Sequence, residues 1–378
     1  MHHSKGTTSS VSNDPEEPPQ KKKLHAAQSS LLQLPNELSV NCLARVPRCY
    51  HPSVSMVSPA LRRLIASPQI YAERSLLRRT ENVLYVSLSL KSLDPPRWYT
   101  LNLKPFGQVS LSHCLVPVPT TFPFVPSWET SMVAFGSEIY VIGGCVNDRF
   151  VSTAFVIECP SYTCRYLPNM KQKRGCAAAG IVQGKLYVIG GCDRRSPNWV
   201  EAFDLKTETW ETVTTSSGPD DVKVCKKMIR SFVVDEKMYL MDRNNSFVYG
   251  PREGSLEKDV LLNRDWSVSS CVIDNKLYSF GRDYRYKMWE FDPVARVWSE
   301  VKGVGDIPGM RGGSKLVNYG GRLVFLCRRG DWSTEIWCTE IELERKEGGE
   351  VWGKILWSSL MLASEDTISI VRSLAVSF

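Results

Sequence analysis

A mainly β chain, a six-bladed propeller preceded by a small all-α segment, follows from three features of the sequence. The first is a repeat: Ile139-Tyr140-Val141-Ile142-Gly143-Gly144 returns as Leu186-Tyr187-Val188-Ile189-Gly190-Gly191. Each copy is an apolar strand that follows a tight turn (Gly136-Ser137-Glu138, then Gln183-Gly184-Lys185) and stops at paired glycines. Weaker copies begin at Met238, Leu277 and Leu323, making five hairpins. The second feature is their spacing. Residues 140, 187, 239, 278 and 324 lie 47, 52, 39 and 46 apart, near the roughly 40 to 50 of four-stranded propeller repeats and away from the ~34 of helical ones. The third is a pair of strand-like segments outside the repeats. Leu84, Val86, Leu88 and Leu90 alternate with Tyr85, Ser87 and Ser89, and Ile368, Ile370, Leu374, Val376 and Phe378 alternate in the same way. A propeller must close its ring, and pairing these two segments removes both free edges. A sixth blade is therefore expected from residues 83 to about 118 and 367 to 378, with Pro117, Pro119, Pro123 and Pro126 leading to the first repeat.

Taken in order, residues 1–30 are polar, with Pro15, Pro18, Pro19 and the run Lys21-Lys22-Lys23. Such a segment buries too little apolar surface to offset its ordering entropy, so a disordered tail is expected. Residues 31–79 read as short helices opened by proline, whose missing N–H is no loss in a first turn. Pro35-Asn36-Glu37-Leu38 opens one; Leu38, Cys42 and Val46 recur on one side and Pro47 ends it. His51-Pro52 starts a second, Ser58-Pro59 a third with Leu61, Leu64 and Ile65 on its apolar side, and Ser67-Pro68 a fourth. Residues 80–378 form the propeller, with repeats at about 128–170, 171–213, 225–265, 266–302 and 311–357 and a closing strand at 367–378.

Composition narrows the function classes. The 378 residues are 43% hydrophobic, enough for a sizeable core, and no run long enough to span a bilayer or serve as a signal peptide occurs. A soluble protein of the cytoplasm and/or nucleus is expected. Twelve cysteines occur without a Cys-x-x-Cys pair, so neither a zinc site nor a redox dithiol is signalled. The net charge of +7 comes mostly from the first 80 residues: four Lys against three acids in 1–30 and seven Arg against two Glu in 31–80 leave 36 basic and 35 acidic residues beyond them. A strongly basic domain of the kind that binds nucleic acid is absent. The five histidines all precede the five repeats, which excludes a histidine triad or histidine metal site there. No base is signalled beside Cys145 or Cys192, and the glycine pairs lack the helix start and Gly-Lys-Ser/Thr of a phosphate cradle. No cofactor, metal or catalytic set is expected.

Two resemblances sharpen this reading. Glycine pairs followed by an apolar strand ending at Phe-Asp and then Trp resemble the kelch repeat: Phe203-Asp204 with Trp210 after Gly191, and Phe291-Asp292 with Trp298 after Gly281. The other copies depart from it, with Glu158-Cys159-Pro160 in the first, Asp242-Arg243 for the glycines and Gly250-Pro251 for the Asp in the third, and Cys327-Arg328 in the fifth. Residues 34–68 resemble an F-box: Leu34-Pro35-Asn36-Glu37-Leu38, a helix ending at Val46-Pro47, Val57-Ser58, then Leu61-Arg62-Arg63-Leu64-Ile65-Ala66-Ser67-Pro68. The family's frequent Lys after Val-Ser is Pro59 here, and its third-helix Trp or Phe is missing.

The combination resembles plant-type F-box/kelch-repeat proteins. It implies a six-bladed kelch β-propeller preceded by a small all-α F-box, acting as the substrate-recognition subunit of an SCF-type E3 ubiquitin ligase and not as an enzyme. By this resemblance Leu34, Pro35, Leu38, Val46, Val57 and Leu64 face a Skp-type adaptor, and through it a cullin, with Arg62, Arg63 and Arg78 at the rim. A kelch enzyme, or a protein-binding scaffold whose helices are only a cap, is the alternative. The loops after the glycine-position strands carry Arg149, Arg194, Arg195, Arg243, Arg282, Arg285, Arg328 and Arg329, and those between blades carry Lys171, Lys173, Arg174, Lys226, Lys227, Arg230 and Arg311. Such loops share one face in kelch domains. A target segment that is acidic, phosphorylated or a free C-terminal carboxylate is the expected partner.

Overall fold

The computed structural model describes residues 34–90, 96–106, 110–118, 129–193, 195–216, 228, 230–281, 287–305, 307, 311–330 and 334–378. The expected tail, its lysine run, and Arg194, Lys226, Lys227, Arg282 and Arg285 lie outside them.

Four helices come first: α1 (Asn36–Ala44), α2 (His51–Val57), α3 (Pro59–Ile65) and α4 (Pro68–Leu76). Proline occupies the first turn of α2, α3 and α4, where no N–H partner is lost. The Ser58 hydroxyl caps α3 by accepting from the Leu61 N–H at 3.2 Å. Ser67, expected to do the same for α4, instead donates its hydroxyl to the Leu64 carbonyl at 2.7 Å, tying α4 to the end of α3. Leu43, Ala44, Leu61, Ile65 and Ile70 form the buried centre of this small unit.

Six sheets of four antiparallel strands follow. The innermost strands are Ser131–Phe135, Ala178–Val182, Arg230–Val234, Ser270–Ile273 and Arg311–Tyr319 for blades 1 to 5, and Ser369–Ser377 for the closing blade. In the closing blade Ser369–Ser377 pairs with Asn82–Ser89, with Val83 opposite Val376 and Tyr85 opposite Leu374, and Arg97–Phe106 and Ser110–Pro117 complete it. In blade 5 the outer two strands run Thr334–Arg345 and Val351–Ser364, longer than the repeat length suggests, and two bulges accommodate the extra residues.

The period-two pattern at residues 83–90 reads as one buried face. In the structure Val83, Tyr85 and Ser87 are as buried as Leu84, Val86 and Leu88. The reason is the ring itself: each blade is sandwiched between two others, so both faces of its inner strands are covered. Leu84, Val86 and Leu88 pack on Val324, Leu326 and Ile336 of blade 5, whereas Val83 and Tyr85 pack on Ile139, Val141 and Ile157 of blade 1. Equivalent cores fill the other four junctions, for example Tyr140 and Val156 with Leu186 and Phe203, and Phe280 against Phe325 with ring centroids 4.6 Å apart.

Successive antiparallel strands place the starts of the inner strands, the loops after the second strands and the connections between blades at one end of the ring, called here the loop face. The tight turns occupy the opposite end. The glycine pairs sit where the second strand reaches the loop face. Gly143 has φ +57°, and a Cβ there would lie 2.5 Å from the Arg174 carbonyl oxygen; Gly191, at φ +70°, would meet the Gly175 carbonyl oxygen at 2.8 Å. Only glycine permits that approach between adjoining backbones.

The helical unit is bolted to the closing blade. Buried Arg74 donates Nη1 to the carbonyls of Ala44 at 3.1 Å and Val46 at 2.9 Å, and pairs through Nη2 with Glu81. Glu81 also accepts the Arg48 N–H at 3.1 Å and exchanges backbone hydrogen bonds with Phe378 at 2.9 and 3.1 Å. The Phe378 ring meets Tyr71 edge-on at 5.4 Å and lies 4.4 Å beneath the Arg48 guanidinium.

Because Leu84 is fully buried at a junction, Leu84→Ala is expected to cost about 2–5 kcal/mol, whereas Val294→Ala, on an exposed turn, stays within about 0.5 kcal/mol. Chemical denaturation of the two variants checks this contrast.

Candidate functional site

Two surfaces collect the residues singled out in the sequence. On the helical unit, Leu34, Leu38 and Val57 are exposed, at 40%, 53% and 66% of their full surface. Pro35 is exposed, Val46 is half-buried, and Leu64 is half-buried against the unit's own core. The side of α1 bearing Leu38 and Cys42 therefore points away from the helical core, which is built instead from Leu43 and Ala44, while Val46 lies half-buried past the helix end. Arg62, Arg63 and Arg78 are exposed nearby in sequence. Sequence reasoning missed Met56 and Leu76, exposed at 76% and 80%. For Leu76 the signal was available: it lies off the buried side of α4, which carries Ile70 and Arg74. Met56 and Leu76 together with Leu34, Leu38 and Val57 leave an unusually apolar surface on this small unit.

The loop face of the ring carries the second group. Arg149 projects from a two-residue hairpin, Cys145–Val146 paired with Arg149–Phe150, whose turn residues Asn147 and Asp148 have φ of +49° and +59°. Arg195 and Arg243 are exposed, while Arg328 and Arg329 are half-buried at the end of the second strand of blade 5. The Arg329 guanidinium stacks 4.7 Å from the centroid of Trp337. In blade 3, where Asp242 stands at the glycine position, its buried carboxylate accepts the N–H groups of Asn244 and Asn245, both at 2.7 Å, and shapes the loop that presents Arg243.

Arg174 does not belong with these cations. It is wholly buried, with Nη2 2.9 Å from the equally buried Glu201 and Nη1 donating to the carbonyls of Gly190 at 2.6 Å and Trp199 at 3.0 Å. Glu201 completes its bonding with the N–H groups of Lys171 at 2.7 Å and Gln172 at 3.0 Å. Arg174 thus ties the entry into blade 2 to that blade's second and third strands, and only Lys171 and Lys173 of this connection remain exposed. Arg230 also departs from the expectation: it lines the ring axis rather than the loops.

Among the described residues no group of three His, Cys, Asp or Glu side chains could hold a metal ion, and every cysteine is a free thiol. Burial pushes the Cys159 and Cys327 thiols up to about 12 and about 11, leaving them poor nucleophiles at neutral pH. Cys192 is buried and Cys145, at the foot of the hairpin, half-buried.

Comparison with known proteins matches both regions. The F-box domain profile matches residues 31–73, and the profile described as FKB95, Kelch-repeats domain matches residues 98–362. The chain belongs to the F-box/kelch-repeat family. It is 57% identical over 348 residues to the F-box/kelch-repeat protein At4g39240 of Arabidopsis thaliana, covering 92% of this chain and 91% of that one. It is 47% identical over 378 residues to the F-box/kelch-repeat protein At4g14905 of the same plant, covering 99% of both chains.

The kelch signature residues act within and between blades. Trp210 and Trp298 lie on outer strands, 5.0 Å from Phe203 and 5.1 Å from Phe291, and donate their indole N–H to the carbonyls of Pro168 at 2.7 Å and Leu261 at 2.9 Å, each in the stretch before its own blade. Asp204 and Asp292 cap the turns ahead of those strands; Asp204 accepts the N–H groups of Lys206 at 2.8 Å and Thr207 at 2.9 Å.

Truncating Arg174 to Ala strands a buried Glu201 carboxylate, with an expected loss of about 3–5 kcal/mol, whereas the double change Arg174→Met with Glu201→Met costs less than the single one. Denaturant melts of both variants test whether the pair is structural in this way.

Proposed function

We propose that this chain is the substrate-recognition subunit of an SCF-type E3 ubiquitin ligase. Its F-box binds a Skp-type adaptor, and through it a cullin, while the loop face of the kelch propeller holds the protein to be ubiquitinated. The observation that carries this reading is the exposed apolar surface on an F-box that is itself fastened to the ring by Arg74, Glu81 and Phe378. An adaptor docked on Leu34, Leu38 and Val57 would stand in a fixed relation to whatever the ring holds. The chain itself performs no chemistry; it supplies proximity, raising the effective concentration of target beside the transferred ubiquitin. The cytoplasm and/or nucleus is the compartment such a role requires.

The target segment is acidic, phosphorylated or a free C-terminal carboxylate. Arg149, Arg195 and Arg243 support this, because exposed guanidinium groups pair bidentately with carboxylate and phosphate. Arg194, Arg282 and Arg285 occupy the same loops in sequence, and Arg328 and Arg329 extend the set into blade 5.

Leu34→Ala with Pro35→Ala is expected to weaken adaptor binding by about 30-fold or more, as loss of central apolar anchors worth about 2 kcal/mol does, while the ring's melting temperature stays unchanged. A pull-down with purified adaptor measures it, and undiminished binding would remove the ligase assignment.

Charge reversal at Arg195, Arg243 and Arg328 is expected to abolish capture of the target and leave adaptor binding intact, and wild-type capture should weaken as salt rises. Salt-insensitive capture that survives the triple reversal would place the target elsewhere on the ring.

A further inference from the structure

The axis of the ring holds a cavity of about 430 Å³ to which all six blades contribute, most of them through the start of their innermost strand. Three of its lining residues are cations from three different blades: Arg230 of blade 3, Lys315 of blade 5 and Arg372 of the closing blade. Among the described residues no carboxylate is prominent beside Arg230 or Lys315, whereas Arg372 has Glu129 near it. The charged neighbours that act on Lys315 are Arg230 and Arg372; those that act on Arg230 are Arg372 and the Cys271 thiol; those that act on Arg372 are the Cys176 thiol and Glu129. Arg230 donates Nη2 to the Ser270 carbonyl at 3.3 Å and rests 5.4 Å from the Phe232 ring, but its buried Nε has no hydrogen-bond partner. Arg372 donates Nη2 to the Thr130 carbonyl at 2.8 Å.

The hydroxyls of the cavity divide in the same way. Ser131 is engaged, donating to the Ala177 carbonyl at 2.6 Å, and Ser231 donates to the Ala179 carbonyl at 3.0 Å. The Ser373 hydroxyl, buried beside Arg372, has no partner among the described residues. Clustered like charges with unmet donors are costly in a folded protein unless something neutralises them. A cavity of this volume is the size of a small-molecule site.

We propose that the axial cavity binds a small organic anion carrying phosphate or carboxylate groups, held by Arg230, Lys315 and Arg372 with Ser373 donating to it. The cations lie inside the ring, apart from the exposed loop arginines, so this site goes beyond the capture of a target protein and does not depend on it. The ligand's negative charge relieves the repulsion among the three side chains, and its oxygens accept the donors that the protein leaves open.

Burial and the two neighbouring arginines draw the Lys315 ammonium down to about 8, and burial first, then Arg372, draws the Arg230 guanidinium down to about 10. In the empty protein the protonated form of Lys315 is thus disfavoured relative to the unfolded chain. The sign follows: this lysine weakens the empty fold at neutral pH, and the penalty lifts as pH rises through 8 toward its unfolded value. A bound anion reverses the shift and favours the charged form.

The test uses the full chain and two probes, pyrophosphate and citrate, each compared with sodium chloride at equal ionic strength by thermal melting and calorimetry. At least one probe is expected to raise the melting temperature above the chloride control, and the probe that does so identifies phosphate or carboxylate as the preferred group. Lys315→Met, which replaces the disfavoured cation with an apolar chain of similar length, should melt no lower than wild type when empty and bind that probe about tenfold or more weakly. Lys206→Ala, on the turn face, should respond as wild type does. A response no greater than chloride for both probes, or an equal response in Lys315→Met, overturns the proposal.

Discussion

Closure of the ring by one strand pairing is the constraint on which the other features rest. Ser369–Ser377 lies along Asn82–Ser89 for its full length, and without it blade 1 and blade 5 would each face solvent with an apolar sheet. The fully buried residues on both sides of Asn82–Ser89 show how completely a closing blade must be filled. Because Phe378 continues directly into contacts with Tyr71, Arg48 and Glu81, the same pairing that completes the propeller also fixes the F-box upon it. The helical unit and the ring, distinct in sequence, are thus joined through a single β-strand.

Arginine takes several distinct roles here, and the environment decides which. Arg74 and Arg174 are buried, each answered by a carboxylate and by several carbonyl oxygens, so their charge is spent on holding segments together. Arg329 sits over an indole, and Arg149, Arg195 and Arg243 stand in solvent on loops that the glycine pairs or Asp242 shape. Around the axis Arg230 and Arg372 are half-buried and line a shared cavity with Lys315. A count of cations along the chain gives no hint of this division, since it depends on which acids the fold brings near.

Much of the architecture was legible because it is periodic. The Gly-Gly hairpins, their spacing and the alternation at residues 83–90 and 368–378 led to six blades and to the closing pair, and the proline-led helices led to the F-box. What was hidden depended on contacts between distant segments. The period-two pattern of the closing blade concealed that its polar side is also buried, since Tyr85 and Ser87 do not look like core residues until a second blade covers them. Arg174 looked like a loop cation because Glu201, its partner, sits in the next strand pair. Arg230, Lys315 and Arg372 come from three blades and share no motif; only the geometry of a ring brings them together. The exposed stripe of α1 was read from helical period, but that it faces outward required knowing that Leu43 and Ala44, not Leu38 and Cys42, form the helical core.

The closing strand also has a bearing on how the protein is made. Asn82–Ser89 leaves the ribosome long before its innermost partner has been translated, and through that interval it presents an unpaired apolar edge, as do the growing blades behind it. Loop closure over nearly the whole chain is slow, so the nascent ring passes through an open stage with an apolar edge exposed. The F-box waits in part as well, because the Phe378 share of its anchor arrives with the last strand of the ring. A chain whose synthesis stops short of Ser369 would thus keep the Arg74–Glu81 pair but lack the Phe378 contacts that complete the fastening of the helices to the ring.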